Sequence, residues 1–589
     1  MLLQRLKEYT ERPSFSLPPT LYAESPVRYI LELAGDGRLL NPVPTDTADN
    51  ASPATRRGQR RLVPQVQRAV GIKPLLLADK ADYVLGYEGP ESKPARVAAC
   101  HAAFMDLLTR CSEATREPAV NAVLTFLAGK PLDQLRLEGS FDPSALITFV
   151  VDGVFVVDLP AVRAFWATEN DPSLKDAPIM QCIVCGADRP VLDRLQAKLK
   201  GVPGGQTSGT SLISANAGAF ESYGLEASLI APTCADCGER FTKAANSLLA
   251  SEGSRLILGG AAFIFWTRED VEFDLIGFFR NPDSGEVTAL LETLRSGKWV
   301  PEIDETRFYG TVLSGSGGRA VVRDWLDTTV GEAKRHLGRW FRAQRIVGAF
   351  GEEPAPLGMY ALAAATVRDA NKDLAPPTPR TLIHAALTGT PVPTALLEQA
   401  VRRNRAEQRV TRPRAALIKL ALCTRPGAPI GEEDSLVELN IEHPRPAYHC
   451  GRLMAVLEDI QRAAIPGINA TIVDRFFGAA SSSPNSVFSR LVRGAQPHLA
   501  KLERDRPGAY IALRRRIEEI MGHIPEFPRI LTLTDQGLFA LGYYHQHAHD
   551  RAQAREAAER RRAGAQLSAD DALALATADT AESPNTKEN

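Results

Sequence analysis

Cys182-Ile-Val-Cys185-Gly186 and Cys234-Ala-Asp-Cys237-Gly238 write one short pattern twice. No other feature restricts the fold of this chain so strongly. Each C-x-x-C turn aims two sulfurs at one point, and structural zinc takes four ligands in a tetrahedron, with thiolate a favoured donor. A single pair also fits a redox site; two identical pairs favour structural zinc held by Cys182, Cys185, Cys234 and Cys237. The glycine after each second cysteine, Gly186 and Gly238, is expected to supply the left-handed backbone of a knuckle. Four protein ligands leave no open coordination position, so the zinc is expected to be structural rather than catalytic.

Between the knuckles lies GGQTSGTSLISANAGAFESYG, nearly free of charge and rich in Gly, Ser and Thr. A metal at its base would hold its ends together and leave its middle projecting. Small residues allow close backbone approach to a phosphate or a groove. Gln206 and Asn216 offer donors and acceptors to base edges, and Phe220 or Tyr223 offers a ring for stacking. The bland alternative is a polar loop packed on its own protein.

Three basic stretches point the same way. RRGQRRLVPQVQRAVGIK carries Arg56, Arg57, Arg60 and Arg61 without one acidic residue. RRNRAEQRVTRPRAALIK carries Arg402, Arg403 and Arg405 against Glu407 alone, and LRRRIEE adds Arg514, Arg515 and Arg516. A solvated face usually mixes signs, and guanidinium forks suit phosphate oxygens. Global charge gives no such hint, because the formal net charge is -1.

The chain of 589 residues is too long for one ordinary core. The expected fold class is α+β: a mixed α/β N-terminal region with the inserted four-cysteine module, then an all-α bundle. The expected boundaries are 1-327 for the mixed region, 178-245 for the zinc module within it, 328-562 for the helical region, and 563-589 for a disordered acidic tail. Residues 41 to 61 read as loop. KPLLLADKADYVLGYEG reads as strand, turn and strand, and SALITFVVDGVFVVDLP as a hairpin turning at Asp152-Gly153. Neither a signal-peptide core nor a run of roughly 20 apolar residues is visible, which predicts a cytoplasmic protein with no membrane partner. Cys100, Cys111, Cys423 and Cys450 read as small buried hydrophobes.

Catalytic patterns are scarce. Gly315-Ser-Gly-Gly lacks the Lys-Ser/Thr of a phosphate loop and reads as a turn. HQHAHD places His545 and His549 at i, i+4, a metal pair or, more plainly, a solvated helix end. His549-Asp550 lacks the second His and Asp of a metal-dependent hydrolase. The residues therefore read as a binder rather than an enzyme. The alternatives are a free-standing zinc-containing nuclease or hydrolase, and a zinc-ribbon scaffold for proteins alone.

Several longer stretches carry a family resemblance. KPLLLADKADYVLG, SANAGAFESYG, FIFWTRED, GRLMAVLEDIQRAAIPGINATIVDRFFGAASSSPNSVFSRL and FALGYYHQHAHDR resemble, in order, signature stretches of the large subunit of the type I-C CRISPR surveillance complex, Cascade. The likeness runs to about residue 550. It implies a non-catalytic subunit at the foot of a guide RNA. That subunit would read the protospacer-adjacent motif in target double-stranded DNA, start strand separation and recruit the helicase-nuclease. Its partners would be the Cascade backbone subunits and helical small subunits. The resemblance also raises internal translation of the small subunit: Gly431-Glu432-Glu433 is encoded by a purine-rich string, with Leu436, Val437 or Met454 as start positions.

Overall fold

A computed structural model describes residues 1–49, 55–66, 68, 71–90, 92–171, 177–195, 197–215, 217–271, 273–296, 301–429 and 431–579. Two compact units are present. One comprises residues 1–252, 268–270 and 313–325; the other comprises 253–267, 271–312 and 326–589. The mixed class expected from the sequence is observed, with strands concentrated before residue 330 and helices after it.

The first unit is organised by β1 (Tyr22–Leu33), whose Val27, Tyr29, Leu31 and Leu33 alternate into the core. β1 pairs antiparallel with β2 (Thr45–Asp46) and β3 (Gln59–Pro64), and parallel with β5 (Leu146–Val151). A parallel pair needs a crossover. Two helices, Pro94–Thr115 and Pro118–Ala128, lie on that connection, each starting with proline, which loses nothing at a helix's first position. Their Phe104, Leu108, Val123 and Phe126 share a core with Leu31, Phe149 and Trp166. β4 (Ala78–Asp79) and β6 (Val154–Phe155) flank β5.

Two local expectations meet the structure here. Asp152 and Gly153 both take positive φ, +47° and +81°, at the β5–β6 turn, as a two-residue hairpin requires. The second strand expected in KADYVLG is instead a helix, Ala81–Val84. Ala81, Val84 and Leu85 are buried at helical spacing, and short apolar runs fit either period. Within residues 41 to 61, expected as loop, Arg60 and Arg61 lie on β3.

The zinc-module segment adds the ribbon β7 (Ile179–Gln181) and β8 (Asp188–Pro190) and the helix Ala235–Ala250. β9 (Arg255–Leu258), β10 (Ala261–Thr267), β11 (Arg307–Ser316) and β12 (Arg319–Thr329) form a sheet in the order β12-β11-β10-β9. Phe263, Phe265 and Phe308 from this sheet share one core with Val330, Leu337 and Trp340 of the helix Val330–Gln344. The change from strand to helix at residue 328 is therefore not a packing boundary. A sheet with an apolar face needs helices over it wherever the chain supplies them.

The helical unit centres on Pro446–Ala464 and Leu533–Asp579. Gly451 and Gly542 sit at their crossing: a Cβ on Gly451 would lie 2.0 Å from the Phe539 carbonyl oxygen, and one on Gly542 2.0 Å from that of Tyr448. The last helix runs to Asp579, so the disordered stretch expected from residue 563 is helical for as far as it is described. Alanine, leucine, glutamine and arginine are among the best helix formers, which explains the continuation. Among the described residues no helix is long and apolar enough to cross a membrane.

Candidate nucleic-acid interface and four-cysteine centre

The cysteines converge from two elements. β7 delivers Cys182, where the Gly186 N–H bonds the Cys182 carbonyl at 2.8 Å and the Cys182 N–H bonds the Ala187 carbonyl at 3.0 Å. Gly186 takes φ +73°, as the knuckle requires. Cys234 caps the helix Ala235–Ala250, which places Cys237 on its first turn. Gly238 therefore lies inside a helix and not in a left-handed turn; a Cβ there would lie 2.8 Å from Leu195 Cδ2, so that side chain would have to shift. The Ile183 N–H bonds the Pro232 carbonyl at 2.9 Å and ties the knuckles together.

The four sulfurs lie within 4.8 Å of one another, with Cys182, Cys234 and Cys237 buried and Cys185 exposed. Tetrahedral zinc–thiolate bonds imply sulfur separations of roughly 3.8 Å, so donor type and spacing fit one zinc ion. Burial pushes the Cys234 and Cys237 thiols up. Burial acts the same way on Cys182, but the N–H groups of Cys185, Cys234 and Val184 outweigh it and hold that thiol down at about 7. It is the sulfur best prepared to ligate as thiolate.

The segment between the knuckles is seated on the β11–β12 hairpin. Gly205 bridges Gly317 and Ser211 bridges Arg319. The Gly315 N–H bonds the Pro203 carbonyl at 2.7 Å, and the Ser211 N–H bonds the Gly318 carbonyl at 2.8 Å. A Cβ on Gly315 would lie 2.1 Å from the Gly205 nitrogen. Of Gly315-Ser-Gly-Gly, the first two residues end β11 and only Gly317-Gly318 make the expected turn; together they are also the backbone seat of the insertion. Gln206 is exposed beside Gly318. The Arg319 guanidinium stacks over the Phe220 ring at 4.1 Å. Tyr223 projects from the far end, 98% exposed. Asn216 lies outside the described residues.

The basic residues divide. Arg56 and Arg57 are exposed. Arg60 pairs with the Glu24 carboxylate at 3.4 Å, and Lys200 donates to the Glu24 carbonyl at 3.2 Å. The first basic stretch and the base of the insertion therefore meet at one residue of β1. Arg61 is partly committed, paired with Asp158 at 3.3 Å and stacked on Phe155. In the second stretch Arg402 is exposed, with a loose pair to Glu398 at 3.9 Å, and Arg403 pairs with Glu407. Arg405 bonds Ser481 at 3.3 Å and Gln536 at 2.7 Å, joining helices rather than facing solvent. In the third, Arg514 and Arg515 are exposed, Arg514 pairing with Glu518 at 3.0 Å, and Arg516 is held by Asp550 at 2.8 Å. The sequence reading missed Lys200 and Arg319. It also missed one face of the helix Pro484–Asp505 with exposed Arg490, Arg493 and Arg504. There the sequence mixes signs, and only the 3.6-residue period sorts them.

A model of the family described as CRISPR-associated protein (Cas_Csd1) matches residues 2–550. The chain belongs to that family. No curated protein matches it. The Cas_Csd1 match spans both compact units, so the cysteine centre, the seated insertion and the helices all fall within it.

In this Cas_Csd1 chain the HQHAHD segment is not a solvated helix end. His545 is fully buried, with Nδ1 2.9 Å from the Tyr448 hydroxyl. His547 Nε2 lies 3.2 Å from Glu458 Oε2 and its Nδ1 3.8 Å from Asp459. His545 and His547 thus face a polar seam between two core helices, while His549 contacts Gln553 on its own helix. Burial depresses His545 to about 3 and His443 to about 4, and raises Asp459 to about 6. The two histidines contribute stability above pH 6.5 that is lost as pH falls toward their folded values. Asp459 acts oppositely, losing its contribution as pH rises through 6. Burial depresses His449 as well, so three histidines outweigh one carboxyl and the expected outcome is a net loss of stability as pH falls from 6.5 to 4.5. Urea unfolding at both pH values checks it, and equal stability would contradict it.

Proposed function

We propose that this chain is the non-catalytic large subunit of an RNA-guided type I-C Cascade complex. It recognises the protospacer-adjacent motif in duplex DNA, helps strand opening and R-loop stabilisation, and recruits the helicase-nuclease. One observation carries the reading. A nearly uncharged, small-residue segment is held at its base by four cysteines and seated by backbone bonds on a glycine hairpin, beside Arg60 and Lys200. Phosphate contacts position such a segment, and the segment reads the groove. The guide RNA reads the remaining sequence by pairing. Zinc at the cysteines is structural. Arg56, Arg57, Arg60, Arg402, Arg514 and Arg515 meet backbone phosphates, and the helices after residue 436 also serve as the separately translated small subunit. The protein acts in the cytoplasm.

Co-expression with the other complex subunits and a guide RNA tests this. Stoichiometric co-purification is expected, and mass spectrometry of the complex is expected to show a fragment of roughly 150 residues, the size of one helical domain. Metal-dependent nuclease turnover by the chain alone, without co-purification, would establish the enzyme reading instead.

A further inference from the structure

The far end of the insertion is built against the ordinary rules of turns. Ser222 and Leu225 form an antiparallel bridge, closed by the Leu225 N–H on the Ser222 carbonyl at 2.9 Å. Tyr223 and Gly224 between them take φ +54° and +71°. Two central residues at positive φ define the type I′ arrangement, whose first position favours asparagine, aspartate or glycine. A tyrosine there carries the full steric cost of its Cβ and bulk. It recovers nothing from packing, since its side chain is almost wholly in solvent. A strained, exposed aromatic residue contributes to neither the turn nor the core, which directs attention to a ligand.

The second aromatic residue of the segment is differently placed. Phe220 has one face under the Arg319 guanidinium, and Arg319 starts the strand whose hairpin seats the insertion. The glycines beneath admit no side chain: Gly315 touches Gly205 backbone, and a Cβ on Gly205 would lie 2.5 Å from Thr210 Cγ2. Arg319 and the hairpin glycines thus fix the base of the segment, while Tyr223 stands free at its apex. We propose that Tyr223 is a stacking residue for an unpaired nucleobase, and that Arg319 is a positioning residue that holds its loop through Phe220. A ring offers no donor pattern to a paired base edge, but every unstacked base offers a face. The cations at the base, Arg60 and Lys200, supply the phosphate contacts that bring a strand past the apex. This assignment rests on the nucleic-acid reading of the same segment and names its ligand as single-stranded or freshly unpaired DNA.

The experiment uses the full-length chain and a short single-stranded oligonucleotide carrying 2-aminopurine, whose emission falls on stacking. Wild-type protein is expected to quench it. Tyr223→Trp is expected to retain quenching, and Tyr223→Asn to lose it with about a tenfold weaker affinity for the strand. Asparagine suits the turn better than tyrosine, so the thermal midpoint of Tyr223→Asn is expected to stay level or rise. A merely structural tyrosine would give the opposite stability change. Arg319→Ala is expected to reduce quenching partially, and Arg319→Lys to restore most of it. Unchanged quenching in Tyr223→Asn would overturn the proposal, as would failure of the wild-type chain to quench at all. Motif discrimination by the assembled complex is measured separately on duplexes. A complex that ignores the flanking bases while the chain still quenches through Tyr223 would refute motif reading and support stacking.

Discussion

Exchanging Cys182 and Cys234 together for serine is expected to remove the metal and unfold the module around it. Wild-type protein should carry about one zinc per chain by atomic emission, and the double variant none. Structural zinc sites have apparent binding energies of roughly 10–16 kcal/mol, much of which is folding free energy. The loss should spread beyond the knuckles. Cys234 sits immediately before the helix Ala235–Ala250, which carries Cys237 and whose Phe241, Ala244 and Leu248 are buried, and the Val191–Cys234 bridge anchors the outgoing chain. The expected signature is a low-temperature unfolding step absent from the wild type, together with protease cleavage between residues 178 and 245. Full metal occupancy in the double variant would contradict the four-cysteine assignment.

Adding one methyl group at either glycine of the core crossing is expected to destabilise the helical unit by about 3 kcal/mol. Backbone blocks the methyl in both directions, the Phe539 carbonyl for Gly451→Ala and the Tyr448 carbonyl for Gly542→Ala. No rotamer change relieves such a contact, so the helices must separate. Separation also loosens the seam between them, where Arg452 bonds Gln546 at 3.0 Å and the Tyr543 hydroxyl bonds Glu458 at 2.6 Å. The two substitutions share one contact surface and are not expected to add. Gly494→Ala is the control. It lies inside the helix Pro484–Asp505 with open space at its Cβ, and it should stabilise by up to about 1 kcal/mol. Urea midpoints measure all three, and a neutral Gly451→Ala would refute the close crossing.

Local chemistry was the legible part of this sequence. The cysteine spacing pointed to one cluster, and the four sulfurs do come within 4.8 Å of one another, because two short turns with two sulfurs each leave few other geometries. Asp152-Gly153 announced its turn, because few other residue pairs take positive φ twice. What depended on distant partners was not legible. Gly315 reads as any turn glycine until Gly205 is brought against it by a chain detour of about a hundred residues, a separation no local pattern encodes. Arg405 and Arg516 read as phosphate ligands because their neighbours in sequence are basic, yet their partners Gln536 and Asp550 lie on a later helix. HQHAHD reads as solvated because three histidines are polar, whereas His545 and His547 turn into the core toward Tyr448, Glu458 and Asp459, and only His549 stays outside, against Gln553. Tyr223 showed its ring in the sequence, but its strained turn and isolation appear only in three dimensions.

The most direct test of motif reading is duplex binding by the assembled complex across every variant of the flanking trinucleotide, at several salt concentrations. The wild type is expected to prefer a narrow set of trinucleotides. Gln206→Ala should lower affinity mainly within that set. Arg56→Ala with Arg60→Ala should lower affinity for all sequences alike and flatten the salt dependence, since lost phosphate contacts release fewer counterions without reading bases. Equal affinity of the wild-type complex for every trinucleotide would contradict the account.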